Sequence, residues 1–157
     1  QKVVIHGDGS SIWTLTHHRD FARGFVGLLG EKKAIGEAFH ITSENWLSWL
    51  QIYETFAKIF QVELKPVFIP SNVIAKYDEN AGASLLGDKT HSMIFDNSKI
   101  KSLVPDFSAD IPLSQGAREI IDWFEKNIDQ QQINEELNTK FDKLINEYTN
   151  KVSQLIL

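Results

Sequence analysis

The chain has 157 residues, 42% of them hydrophobic, and a formal net charge of -5, enough apolar material for one sizeable core without a second domain. Its longest apolar runs, FVGLL and VFI, are far shorter than the ~20 residues that cross a bilayer, and no basic-then-apolar leader is read at the start. Zero cysteines exclude disulfides, thiolate metal sites and cysteine nucleophiles, and the expected setting is cytoplasmic.

KVVIH reads as a short buried strand, GDGSS as its turn and IWTLT as a second extended stretch, with Trp13 and Leu15 on one face; together they suggest a hairpin-like entry. A helix follows through THHRDFARGFVGLL, its start supplied by Thr16 or Asp20 and its end by Gly30. AFHIT (38–42) is a compact strand candidate. Ser48 and Gln51 form a capping-box pattern before the helix carrying Leu50, Tyr53, Phe56, Ala57 and Phe60. KPVFIP is a proline-bounded strand and SNVIAKY a short helix, whereas 78–92 reads as an exposed irregular loop. Asp96 is expected to cap a short helix, and Ser114 to start another that buries Ala117, Ile120, Ile121 and Phe124. From Ile133 to Leu155 a stripe of Ile133, Leu137, Phe141, Leu144, Tyr148, Val152 and Leu155 at three- and four-residue spacing marks an amphipathic tail helix. Strands alternating with helices indicate α/β architecture.

The stretch GFVGLLG has a dinucleotide-binding glycine spacing, but the order of signals around it is reversed. A pyrophosphate cradle follows a strand and opens a helix, where free N–H groups and the positive dipole end meet the phosphates. Here a helix runs into the glycines, so Gly24 and Gly27 are read as close-packing positions in a helix interior.

Taken in order, V-I-H-G-D-G, T-H-H-R-D-F-A, A-F-H-I-T, F-D-N-S-K-I and A-R-E-I-I-D-W-F resemble the C-terminal half of an NAD-dependent epimerase/dehydratase of the extended short-chain dehydrogenase/reductase family. The resemblance covers roughly residues 2 to 127. It implies an α/β fold that is the C-terminal substrate-binding portion of a Rossmann-type protein, here residues 1–127, with an added amphipathic helical tail at 128–157. It also implies that NAD or NADP is held by an N-terminal Rossmann portion lying outside this chain, which is then a partner along with a small-molecule substrate. The family's Tyr-x-x-x-Lys pair is not found: Tyr53 and Lys58 are separated by four residues and Tyr148 and Lys151 by two. The segment alone is expected to be catalytically silent and to bind no dinucleotide. Relatives acting on nucleotide sugars carry two diphosphate-clamping arginines, and Trp13 and Leu86 stand at the corresponding positions here, with Gly87 and Asp88 retained. The candidate substrate-binding residues are therefore Trp13, Leu86, Gly87, Asp88, Lys89 and His91, and the expected substrate is small and not a nucleotide sugar.

Other constellations are weaker. His6, His17, His18, His40 and His91 lack metal-ligand spacing, the adjacent His17 and His18 are expected to point to different faces, and no serine lies in a G-x-S-x-G turn. Asp20 is read as helix-entry chemistry rather than a general base. A second functional reading is a non-catalytic RNA-associated or assembly module of the same fold; acidity counts against nucleic acid, since Lys89, Lys99 and Lys101 offer only a small patch. The tail stripe is expected to favour an intermolecular role, a homo-oligomer through residues 130–157, over packing on its own chain.

Overall fold

A computed structural model describes residues 2–156. Gln1 and Leu157, the outermost residues of the expected substrate-binding stretch and tail, lie outside the described residues. Among the described residues, two short strand pairs and seven α-helices frame two apolar clusters. Strand β1 (Val3–His6) pairs in parallel with β4 (Pro66–Ile69), Val3 opposite Pro66 and His6 opposite Ile69. Strand β2 (Ile12–Thr14) pairs antiparallel with β3 (Trp46–Ser48), placing Trp13 opposite Leu47. The expected hairpin is thus corrected. VVIH is a continuous apolar run, as buried parallel strands are, and its partner arrives only after a long crossover. The turn after it uses Gly7 and Gly9 at φ +60° and +73° to send the chain elsewhere.

Helix α1 (His18–Leu28) starts differently from expectation. His17 Nδ1 accepts the Arg19 N–H at 3.2 Å and is the cap, while Thr16 Oγ1 accepts the Ser43 N–H at 2.9 Å. Asp20 is fully buried and accepts the Ile111 N–H at 2.9 Å; it ties α1 to the segment ahead of α6 (Leu113–Lys126) and caps nothing. Its other oxygen faces Arg23 Nη2 at 3.5 Å, too long for a full hydrogen bond. Gly24 and Gly27 of GFVGLLG are packing positions, whereas Gly30, at φ +82° just past the helix, has open space beside it. A Cβ on Gly24 would lie 2.6 Å from Ile41 and 2.9 Å from Phe107, and one on Gly27 2.5 Å from Val104. Gly24→Val should therefore destabilise the chain by about 1–3 kcal/mol, measurable by urea unfolding.

AFHIT forms no strand. Phe39 and Ile41 pack on the cluster of Ile100, Phe107 and Ala109 while Ala38 and His40 are exposed, which is the alternation of a strand. Yet among the described residues the backbone N–H and C=O groups of Ala38 to Ile41 have no hydrogen-bond partner, so the segment is extended but unpaired.

Helix α2 (Trp49–Ile59) carries the expected capping box: Ser48 Oγ accepts the Gln51 N–H at 3.2 Å and Gln51 Oε1 accepts the Ser48 N–H at 2.8 Å. The presumed loop at 78–92 is largely helical. After α3 (Ser71–Tyr77), Asp78 accepts the Ala81 N–H at 3.0 Å and caps α4 (Glu79–Ser84), which runs into a π-helical turn, Leu85–Lys89. A Cβ on Gly82 would sit 2.6 Å from Ala75 Cα, so the small residue that suggested a loop instead lets α3 and α4 cross closely. Asp96 accepts the Ser98 N–H at 2.8 Å ahead of α5 (Ser98–Leu103). In α6 the helix begins at Leu113 behind Pro112, Ser114 makes no cap, and of its expected inner face only Ala117 is fully buried; Ile120 and Phe124 stay exposed.

Helix α7 (Glu135–Ile156) packs on its own chain, which corrects the preference for an intermolecular role along the middle of the stripe. Leu144 is buried with Ile69 and Ile74, and Phe141 and Tyr148 join Val4, Val67 and Val73 around them. Ile133, Leu137 and Leu155 remain exposed. No helix among the described residues is long and apolar enough to cross a membrane.

Candidate functional site

Aromatic side chains from β2 and α2 meet at the ends of the two strand pairs. The rings of Trp13 and Trp49 lie 5.8 Å apart, and His6, the last residue of β1, sets its ring edge against Trp49 at 5.3 Å. The Leu85–Lys89 turn closes over this stack. His6 Nε2 is 3.2 Å from the Lys89 carbonyl, and Ser11 Oγ donates to the same oxygen at 3.0 Å. A carbonyl only accepts, so His6 carries its proton on Nε2. With its backbone held, Lys89 places its ammonium 5.9 Å from the centre of the Trp13 ring and donates to Ser84 Oγ.

The structure thus brings together two of the six candidate residues, Trp13 and Lys89. Asp88 is half-buried in the turn, whereas Leu86, Gly87 and His91 are exposed. His6, Ser11 and Trp49 belong to the same assembly and were not singled out as site residues from sequence. The one signal available for the first two was the serine-rich turn directly after a strand ending in histidine.

Burial holds the His6 pKa below its ordinary value of 6.5, with the Lys89 charge adding to the effect against the opposing hydrogen bond to the Lys89 carbonyl. The unfolded chain therefore binds more protons than the folded one in this range, so stability is present above about pH 6.5 and declines as the pH falls through the lowered folded value. Thermal unfolding from pH 8 to pH 5 should show that decline, and His6→Gln should flatten it.

A second feature adjoins the first through Trp49. An apolar groove of about 860 Å³ runs between α2 and α6, walled by Trp49, Ile52, Phe56, Ile120, Trp123 and Phe124. At its polar end His17 Nε2 lies 3.1 Å from Glu119, which also receives Arg19 and, at 3.1 Å, the Gln115 amide. The Gln115, His17 and Arg19 contacts hold the Glu119 carboxyl below its usual range. The rings of His17 and His18 lie 4.3 Å apart rather than diverging, because His17 precedes the helix and escapes its angular spacing. No group of three His, Cys, Asp or Glu side chains suited to a metal occurs among the described residues.

The dinucleotide-type glycine spacing forms no phosphate cradle among the described residues. Gly24 and Gly27 lie inside α1 with Ile41, Phe107 and Val104 filling the space beside them, and Gly30 follows the C-terminal end of the helix rather than opening one. Tyr53 is pushed up from the ordinary tyrosine value by burial, the opposite of an activated acid/base.

No protein-family model matches the chain. It is 27% identical over 105 residues to a 2'-dehydrokanamycin reductase of Streptomyces kanamyceticus, covering 67% of this chain and 30% of that one. Among solved structures it resembles the UDP-glucuronic acid 4-epimerase of Bacillus cereus in complex with UDP-glucuronic acid and NAD, at 26% identity and a TM-score of 0.62, over 80% of this chain and 36% of that one. The dTDP-glucose 4,6-dehydratase of Bacillus anthracis shares the fold at 20% identity and a TM-score of 0.59, over 81% and 35% of the two chains. The chain spans about a third of the length of these proteins.

Proposed function

We propose that this chain, which corresponds to the C-terminal portion of an NAD-dependent epimerase/dehydratase of the extended short-chain dehydrogenase/reductase family, supplies the substrate-binding side of a complete NAD(P)-dependent epimerase, dehydratase or reductase. Hydride transfer through a nicotinamide takes place on an N-terminal Rossmann portion. The unpaired stretch from Ala38 to Ile41 supports this division: an extended segment with one face buried and its backbone groups unmatched is a strand whose neighbours belong to another portion. The exposed apolar side of α6, with Ile120 and Trp123, is a packing face of the same kind. Such a protein works in the cytoplasm.

The substrate is small and not a nucleotide sugar, and the Trp13–Lys89 pair is the observation that carries this reading. A diphosphate is held best by forked, bidentate arginines. Of the three arginines, Arg19 is engaged by Glu119, Arg23 by Ser108 and Asp20, and Arg118 lies on α6; none reaches the Trp13 face, where Lys89 is already committed to Trp13 and Ser84. The likeness to a reductase named for dehydrokanamycin fits a substrate without a nucleotide.

Trp13→Arg combined with Leu86→Arg in the complete protein should tighten binding of a nucleoside diphosphate, each charge-assisted contact contributing on the order of 1.5–3 kcal/mol. Calorimetric titration reads the gain; none at all in a folded double variant means these positions do not face the substrate. In the same calorimeter the 157-residue chain should give no binding isotherm with NAD or NADP.

A further inference from the structure

A small polar pocket of about 200 Å³ opens beside His6, lined also by Asp8, Ser10, Ser11, Thr90 and Ser92. His6 is more than nine-tenths buried, and its Nε2–H is committed to the Lys89 carbonyl. That leaves Nδ1 as a bare acceptor, with no partner among the described residues. Asp8 stands in a similar position: its Oδ1 takes both the Ser10 N–H at 2.9 Å and the Ser10 hydroxyl at 2.5 Å, leaving Oδ2 without a partner among the described residues. The Ser10 hydroxyl and amide hold Asp8 below the ordinary carboxylate range, so it is ionised at neutral pH.

The pocket therefore combines a neutral nitrogen acceptor, a carboxylate and several hydroxyls. The nearest ammonium, that of Lys89, is directed to Trp13 and Ser84. Such a lining disfavours an anion and suits a donor. We infer that this pocket is a substrate subsite for a hydroxyl or protonated amine of a small polyol, with His6 Nδ1 as the acceptor and Asp8 favouring the amine. The inference rests on the reading of the Trp13–Lys89 face as substrate-facing and extends it to residues on the other side of the turn. It makes His6 a binding group as well as the fastening of Lys89.

The experiment is a titration of the chain with D-glucosamine, D-glucose and UDP as separate probes, observed through the imidazole nitrogen resonances of His6 and the backbone resonances of Trp13 and Lys89. The expected result is a saturable shift of His6 Nδ1 toward the hydrogen-bonded range with both sugars, tighter for glucosamine. Asp8→Asn should remove the preference for glucosamine. His6→Phe should weaken both sugars by about tenfold, the equivalent of one hydrogen bond. The wild-type measurement stands by itself if His6→Phe unfolds: an Nδ1 resonance unmoved by either sugar up to tens of millimolar overturns the inference, as does binding that moves only residues remote from β1. Saturable binding of UDP at Trp13 and Lys89 overturns the functional reading on which the inference rests.

Discussion

Leu144→Ala lowers the unfolding free energy by about 2–5 kcal/mol, the range for removing a large side chain from a packed core. Leu144 sits at the meeting point of β4, α3 and α7, where Ile69 and Ile74 are also buried. The loss is measured by urea unfolding followed by circular dichroism. Sedimentation equilibrium of the full chain and of one ending at residue 129 provides the second reading. Removal of the tail should destabilise the remainder by exposing Ile69 and Ile74, because the stripe is used internally. If Leu144→Ala keeps full stability but shifts the association state, the tail acts between chains and the packing of Phe141, Leu144 and Tyr148 has been misassigned.

Asp20→Ala costs about 3 kcal/mol, whereas Asp20→Asn costs less than half as much. The carboxyl group is fully buried and accepts the Ile111 N–H at 2.9 Å, so alanine removes that bond and leaves a half-buried donor unmatched. Asparagine keeps an acceptor at the same reach. Because this bond joins α1 to the entry of α6, its loss should also loosen the groove wall containing Ile120 and Trp123, visible as faster amide exchange in α6. Equal stability of the two variants would sink the assignment of Asp20 as a structural tie.

Local chemistry was legible in the sequence wherever a few neighbouring residues determine it. The Ser48–Gln51 capping box, the proline-bounded β4, the helical placement of Gly24 and Gly27 and the period of α7 all follow from spacings within a turn or two. What was not legible depends on distant partners. The pairing of β1 with β4 joins residues separated by a long crossover, and Asp20 reads as a cap until Ile111 is seen beside it. The sequence of 78–92, rich in small and polar residues, conceals a helix because Gly82 is selected by contact with Ala75 rather than by turn geometry. At the site, Trp13 and Lys89 were among the residues expected from the resemblance. His6 and Ser11 were not, because their role is to hold a carbonyl far along the chain, and no side-chain pattern reveals which carbonyl that is.

The unpaired run from Ala38 to Ile41 has a practical consequence for anyone preparing this chain alone. An extended backbone with free donors and acceptors is a template on which a second molecule can add edge to edge, the route by which uncovered strands begin to aggregate. Phe39 and Ile41 are engaged with the core, so the hazard lies in the backbone and surface mutation of side chains will do little to relieve it. Replacing a non-glycine residue there by proline deletes a donor without touching that core: His40→Pro is the substitution to make when soluble, concentrated samples are the aim.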